Sequence, residues 1–188
     1  MGIDRTAAAQ AIDAFIRALG RDTAVETELA GTGSRVAEAY GELISGYAVD
    51  TKNLLAASVL STKSGGLVVV RDIPVVTTCP HHLLPATGIA TVALQARERI
   101  VGLGTLAALV DAYARRLTLQ ERIGEGVVSD LEKVLEPEWC GCRLVLTHGC
   151  MTARGERAVG SRVETVALRG ASSPKAVAIV HGALGVGT

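Results

Sequence analysis

The sequence predicts an α+β fold in which helices pack on one face of an antiparallel sheet. Three observations carry that prediction. Apolar residues recur at helical spacing in the first 45 positions, and β-rich runs replace that period from Gly65. Two amphipathic stretches then separate those runs from a further pair of strands. Helices and strands grouped in this way fit an antiparallel sheet, whereas strict alternation of single strands and helices would predict a parallel one.

In chain order, residues 6–19 read as a helix: Ile12, Phe15, Ile16 and Leu19 fall on one face, and Gly20 stops it. A second helix over 35–45 places Val36, Tyr40, Leu43 and Ile44 together, with Ser34 as its cap and Gly46 beyond its end. From Gly65, Leu67-Val68-Val69-Val70 and Val75-Val76-Thr77 are strand-forming, interrupted by Asp72 and Pro74. A strand over 88–94 follows, then a charged turn at Arg97-Glu98-Arg99 before Ile100-Val101. Leu106, Leu109, Val110, Tyr113 and Leu117 make one helical stripe; Ile123, Val127, Leu131, Val134 and Leu135 make the next, ended by Pro137. Gly124 and Gly126 weaken that second helix by about 1 kcal/mol each relative to alanine, unless close packing uses them. Strands near 142–150 and 161–168 flank a turn at Arg154-Gly155-Glu156, and the tail after Pro174 reads as a short last helix.

At 188 residues the chain reads as one domain with room for a sizeable core. The 19 basic and 19 acidic side chains cancel, which argues against a nucleic-acid partner. No apolar run reaches the roughly 18 residues of a membrane span. The first ten residues hold no apolar signal core. The expectation is therefore a cytoplasmic protein whose four cysteines are thiols. Hydrophobic residues make up 48% but aromatics only 3%, so much of the core is small side chains that allow close approach, which favours an oligomer.

One constellation carries chemistry. Cys79-Pro80-His81-His82 is answered seventy residues later by His148-Gly149-Cys150. Proline suits the first position of a helical turn, and on such a turn Cys79 and His82 share a side while His81 points elsewhere. Residues 143–148 read as a strand, in which alternate side chains share a face, so His148 and Cys150 point the same way. A lone cysteine or histidine is more often structural, and Cys-x-x-His alone is weak. Both halves together, each with a spare histidine, point to zinc: Cys79, His82 and Cys150 as three ligands, with a fourth position open. Cys142 lies about 26 Å from Cys150 along an extended strand, so it and Cys140 read as packing thiols.

From about Leu29 to Gly170 the chain resembles GTP cyclohydrolase I. The resemblance runs through residues 32–47 (TGSRVAEAYGELISGY), Val70-Arg71-Asp72-Ile73, Thr78 to His82, Val101-Gly102-Leu103, Gln120-Glu121-Arg122 and Thr147 to Cys150 with Arg154-Gly155. It implies the tunnelling fold (T-fold), with sheets assembled into a barrel-like ring of identical subunits that share active sites. It also divides the single domain into a helical part (1–64), a catalytic part (65–170) and a tail (171–188). By the same resemblance, zinc on Cys79, His82 and Cys150 activates the water that opens a purine's imidazole ring. His148 protonates the ring nitrogen, and His81 matches a second catalytic histidine. Gln120 and Glu121 read the purine edge, and Arg154 belongs to the phosphate-binding set. On residue pattern alone, Gln120-Glu121-Arg122 would read as a solvated helix start.

The chain departs from the family at the phosphate end. Gly104, Thr105 and Ala108 stand where the family has a serine, a lysine and an arginine, and Pro80 stands where it has a glutamate. Losing two charge-assisted contacts weakens triphosphate binding by roughly two to four decades. Three readings follow. The first is conversion of GTP and water to 7,8-dihydroneopterin triphosphate and formate, with other arginines (Arg115, Arg116, Arg157 or Arg162) supplying the phosphate contacts. The second is action on a purine base, nucleoside or pterin without triphosphate. The third is a zinc-stabilised binding protein without turnover, against which the presence of both His81 and His148 argues.

Overall fold

The computed structural model describes residues 2–63 and 65–187. The chain forms two compact units, one up to Ser45 and one from Gly46 onward.

The first unit pairs helices α1 (Arg5–Ala18) and α2 (Thr32–Leu43). The Asp4 side chain caps α1 by accepting from Ala7 N at 2.9 Å. Helix α2 begins earlier than its sequence suggests. The chain enters it through Gly31 in the left-handed region (φ 73°), which puts Ser34 inside the first turn rather than at the cap. The helices meet at Gly33, where any Cβ would collide with the carbonyl oxygen of Ala9.

The second unit opens with α3 (Thr51–Ala56) and β1 (Val59–Ser61). Strands β2 (Leu67–Thr78) and β3 (Pro85–Gln95) form a long hairpin, and β4 (Arg99–Val101) pairs back on β1. Helices α4 (Leu103–Ala114) and α5 (Gln120–Leu135) follow. Then come β5 (Trp139–His148), the one-turn α6 (Gly149–Thr152), β6 (Val163–Arg169) and α7 (Pro174–Leu184). The main sheet is antiparallel throughout, in the order β2-β3-β5-β6.

Both apolar stripes of the sequence face this sheet. Leu106, Leu109 and Val110 of α4 and Ile123, Val127 and Leu131 of α5 pack on Val75, Val92, Leu94, Leu144 and Leu146. Cys140 and Cys142 lie in the same layer, fully buried. Burial pushes both thiols up to about 12, so they stay protonated and inert. The two glycines of α5 serve packing. A Cβ on Gly126 would strike the Tyr113 ring, and one on Gly124 would press on Ala167 and Leu144. Helix α7 covers part of the opposite face, with Val180 and Leu184 against Ala93 and Trp139. Only α4 and α5 thus form the single helical layer that the sequence suggests.

Candidate metal centre and its pocket

The site lies where β2, β3 and β5 end together. Beyond Thr78 the chain does not stop pairing: Cys79 N donates to Leu84 O at 2.9 Å, and Leu83 N closes a helical turn onto Cys79 O at 2.9 Å. Leu83 reverses the chain with φ 53°, and Pro85 begins β3. That single turn brings Cys79 and His82 to one side, with Cys79 Sγ 3.9 Å from His82 Nδ1. The His81 ring stands edge-on to His82 at 6.3 Å between centroids.

The second half reaches the site by another route than the one its sequence suggests. Strand β5 ends at His148, and Cys150 sits on α6, so the two side chains do not share a strand face. Gly149 makes the change of direction. A Cβ there would lie 2.9 Å from Pro85 O, so only glycine lets α6 approach the start of β3. Thr152 Oγ1 then donates to His148 O at 3.2 Å and holds the turn.

The result is a convergent donor set. One ligand atom each from Cys79, His82 and Cys150 lies within 4.8 Å of the others, and among the described residues no other such group of three occurs. A tetrahedral zinc with bonds of about 2.0–2.3 Å would set these atoms roughly 3.5 Å apart, within reach of small side-chain rotations. Two sulfurs and one imidazole nitrogen are the soft and borderline donors that zinc takes, and three ligands leave a position open. The donor set fits the metal. Burial and the neighbouring Cys79 raise the Cys150 thiol above its ordinary value, and Arg154 partly opposes this. A metal displaces those protons directly. Arg154 Nη2 lies 2.5 Å from His82 Nε2. A guanidinium only donates, so this contact requires Nε2 to accept. A His82 that gives Nδ1 to a metal keeps its proton on Nε2, so metal binding and this contact are alternatives.

Next to the thiols, β5 and the start of α5 place His148, Gln120 and Glu121. Gln120 is 3% exposed, and its amide nitrogen faces Leu144 O (3.2 Å), Val163 O (3.0 Å) and Thr165 Oγ1 (3.1 Å). Three acceptors on one side orient the amide, so its Oε1 faces His148 Nε2 at 2.8 Å and must accept from it. His148 therefore carries a proton on Nε2. Burial lowers its pKa, against a smaller opposing pull from the Glu121 carboxylate. Glu121 itself is exposed, in the first turn of α5.

These groups line a cavity of about 190 Å³ together with Thr77, Ala86, Leu119 and Met151. Sequence reading singles out neither Thr77 nor Gly149. Thr77 is hidden in a β-rich run, and Gly149 reads as a mere spacer between two better candidates. The phosphate-end positions are neutral, with Gly104 and Ala108 exposed near the start of α4. Of the substitute arginines, Arg115 pairs with Asp111 at 2.9 Å and Arg116 lies over the Tyr113 ring at 4.5 Å. Arg157 and Arg162 are not buried.

Residues 8–178 match the sequence family described as GTP cyclohydrolase I. Proteins named GTP cyclohydrolase 1 from Leptospira biflexa, Geobacillus kaustophilus and Allorhizobium ampelinum are 35%, 39% and 37% identical. The alignments cover 85%, 85% and 88% of this chain and 86%, 85% and 83% of those proteins. A solved structure of an archaeosine synthase QueF-Like in the apo form covers 59% of this chain and all of its own. Its TM-score is 0.49 at 19% identity, too slight a likeness to bear on function.

Proposed function

The chain belongs to the GTP cyclohydrolase I family, and from that membership we propose that it is a zinc hydrolase opening the imidazole ring of a purine at the Cys79–His82–Cys150 centre. The observation that carries the proposal is the convergence of those three donors beside a His148 oriented by Gln120. Zinc supplies Lewis acidity and an activated water at neutral pH. The protein's own groups do the rest. Glu121, in the first turn of α5, accepts the N–H edge of a guanine-type ring. His148, once protonated at Nδ1 as well, gives that proton to the ring nitrogen while Gln120 holds Nε2. His81, which lines the same cavity, is the second catalytic histidine, and Arg154 balances phosphate charge.

The same reading makes the protein a cytoplasmic homo-oligomer. A cavity of about 190 Å³ is small against the roughly 300–1,000 Å³ of ordinary ligand sites, so one chain holds only part of the pocket. Exposed Leu83, Leu117, Leu119 and Met151 lie in or near this region, which suits a second copy there. Sedimentation of an active monomer at assay concentration would overturn this part. Four free cysteines suit a reducing compartment, and no helix of the described residues is long and apolar enough to cross a membrane. Within the chain, residues 65–170 carry the chemistry, with 1–64 and 171–188 as its helical flanks.

A second reading concerns the substrate's phosphate end. Gly104 and Ala108 offer no cation, and two of the four substitute arginines, Arg115 and Arg116, are engaged elsewhere. This favours a purine base, nucleoside or pterin over GTP. Calorimetric affinity and formate release for GTP, guanosine and free purine bases on one zinc-loaded preparation separate the two. Micromolar GTP with efficient turnover, alongside no binding of bases, returns the protein to the ordinary family substrate.

A further inference from the structure

Two buried side-chain hydroxyls among the described residues have no hydrogen-bond partner, those of Thr77 and Thr78. They are neighbours in sequence, yet they lie in different surroundings. Along β2, Ile73, Val75 and Thr77 alternate onto the face that carries α4 and α5, and Thr78 turns to the other. Thr77 lines the metal-side cavity, whereas Thr78 does not.

The register shows what Thr77 faces. Thr77 pairs with Ala86, and Ala86 pairs with His148 on its other side. The three residues form a row across β2, β3 and β5 with their side chains on one face, the outer two separated by two strand spacings, or about 10 Å. Ala86, 1% exposed and ending at a methyl group, is the floor between them. A flat heteroaromatic ring can lie over that floor with His148 at one edge and Thr77 at the other. Cys79, two residues along the chain from Thr77, leads into the donor set.

A hydroxyl on a residue only 2% exposed, with nothing to bond, is a penalty the folded chain carries unless a ligand removes it. We infer that Thr77 is a ligand-contacting residue: its hydroxyl bonds a polar atom on the ring edge opposite His148, adding a contact that the family-derived set of Glu121, His148 and Arg154 lacks. The inference rests on the purine reading given above. A hydroxyl both donates and accepts, so Thr77 takes either a ring nitrogen or an exocyclic oxygen or amine. It rejects a ring that offers only C–H there.

The test uses four zinc-loaded proteins: wild type, Thr77→Val, Thr77→Ser and Thr78→Val. Each is assayed for formate release and for calorimetric affinity with GTP and guanosine, and each is melted without ligand. Valine keeps the shape of threonine and deletes the hydroxyl, so both valine variants should melt a few degrees higher than wild type. Thr77→Val should nevertheless lose about tenfold in affinity and in kcat/KM, one ordinary hydrogen bond, at unchanged zinc content. Thr77→Ser should recover most of that loss, and Thr78→Val should behave as wild type toward ligand. Wild-type affinity and kcat/KM in Thr77→Val, or an equal loss in Thr78→Val, overturns the role of Thr77 while leaving the purine reading intact. A wild-type protein that binds and opens no purine overturns both.

Discussion

At Gln120 the direction of one amide decides the protonation of a neighbouring ring. With its nitrogen turned to Leu144 O, Val163 O and Thr165 Oγ1, its oxygen receives the Nε2 proton of His148. In this structure the residue acts on His148 through its Oε1, while its amide nitrogen is engaged by the protein. Gln120→Leu should therefore lower kcat for formate release by about one to two decades, more than it raises KM, with zinc retained. Steady-state kinetics and metal analysis on one preparation check it. Cys150 carries a different burden, the metal itself. Cys150→Ala should leave a folded chain with less than a tenth of the wild-type zinc, whereas Cys142→Ala, a change in the core, should keep its zinc. Metal content by elemental analysis, with circular dichroism to confirm folding, separates the two.

Among elements, the sheet edge offers a measurable pH dependence. Arg143 on β5 grips Glu164 on β6 with two bonds, Nε to Oε1 at 2.6 Å and Nη2 to Oε2 at 2.9 Å. The guanidinium holds the Glu164 carboxyl below its ordinary range. A depressed carboxylate stabilises the fold above its ordinary pKa of about 4.3 and loses that contribution as pH falls through the lower folded value. The pair is partly exposed, so its worth is about 1 kcal/mol or less. Glu164→Gln should melt a few degrees lower than wild type at pH 7, and the two melting temperatures should converge as pH falls through the carboxyl's lowered folded value. What was legible in the sequence at this scale follows from period and length. The stripes of α4 and α5 repeat over three turns and more, so both helices could be read. Helix α3 has six residues and β1 three, too short for a period to emerge, although Asp50 capping Asn53 N at 3.0 Å is a local signal. The side taken by α7 was hidden because β5 is buried on both faces through Trp139–Cys142, and a strand apolar on both sides does not say which helix covers which. The end of β5 at His148 was hidden by a single glycine whose close approach to Pro85 is a tertiary fact. Cys79 and His82 were legible because one turn brings them together, and the cavity over Ala86 was not, because it depends on the pairing register of three strands.

For the whole molecule, the second compact unit holds the Cys79, His82 and Cys150 donor set, His81, His148 and the acidic start of α5. Family membership and this geometry make one claim together: a zinc held by Cys79, His82 and Cys150 opens a purine ring. Its most direct measurement is formate release, followed with the loss of purine absorbance, on protein stripped of metal and then reloaded with zinc. We expect formate and ring loss in equal amounts from at least one of GTP, guanosine or a free guanine-type base, abolished by stripping, restored by zinc and absent in Cys150→Ala. A zinc-loaded protein that releases no formate from any of them, or a Cys150→Ala variant as active as wild type, would contradict it.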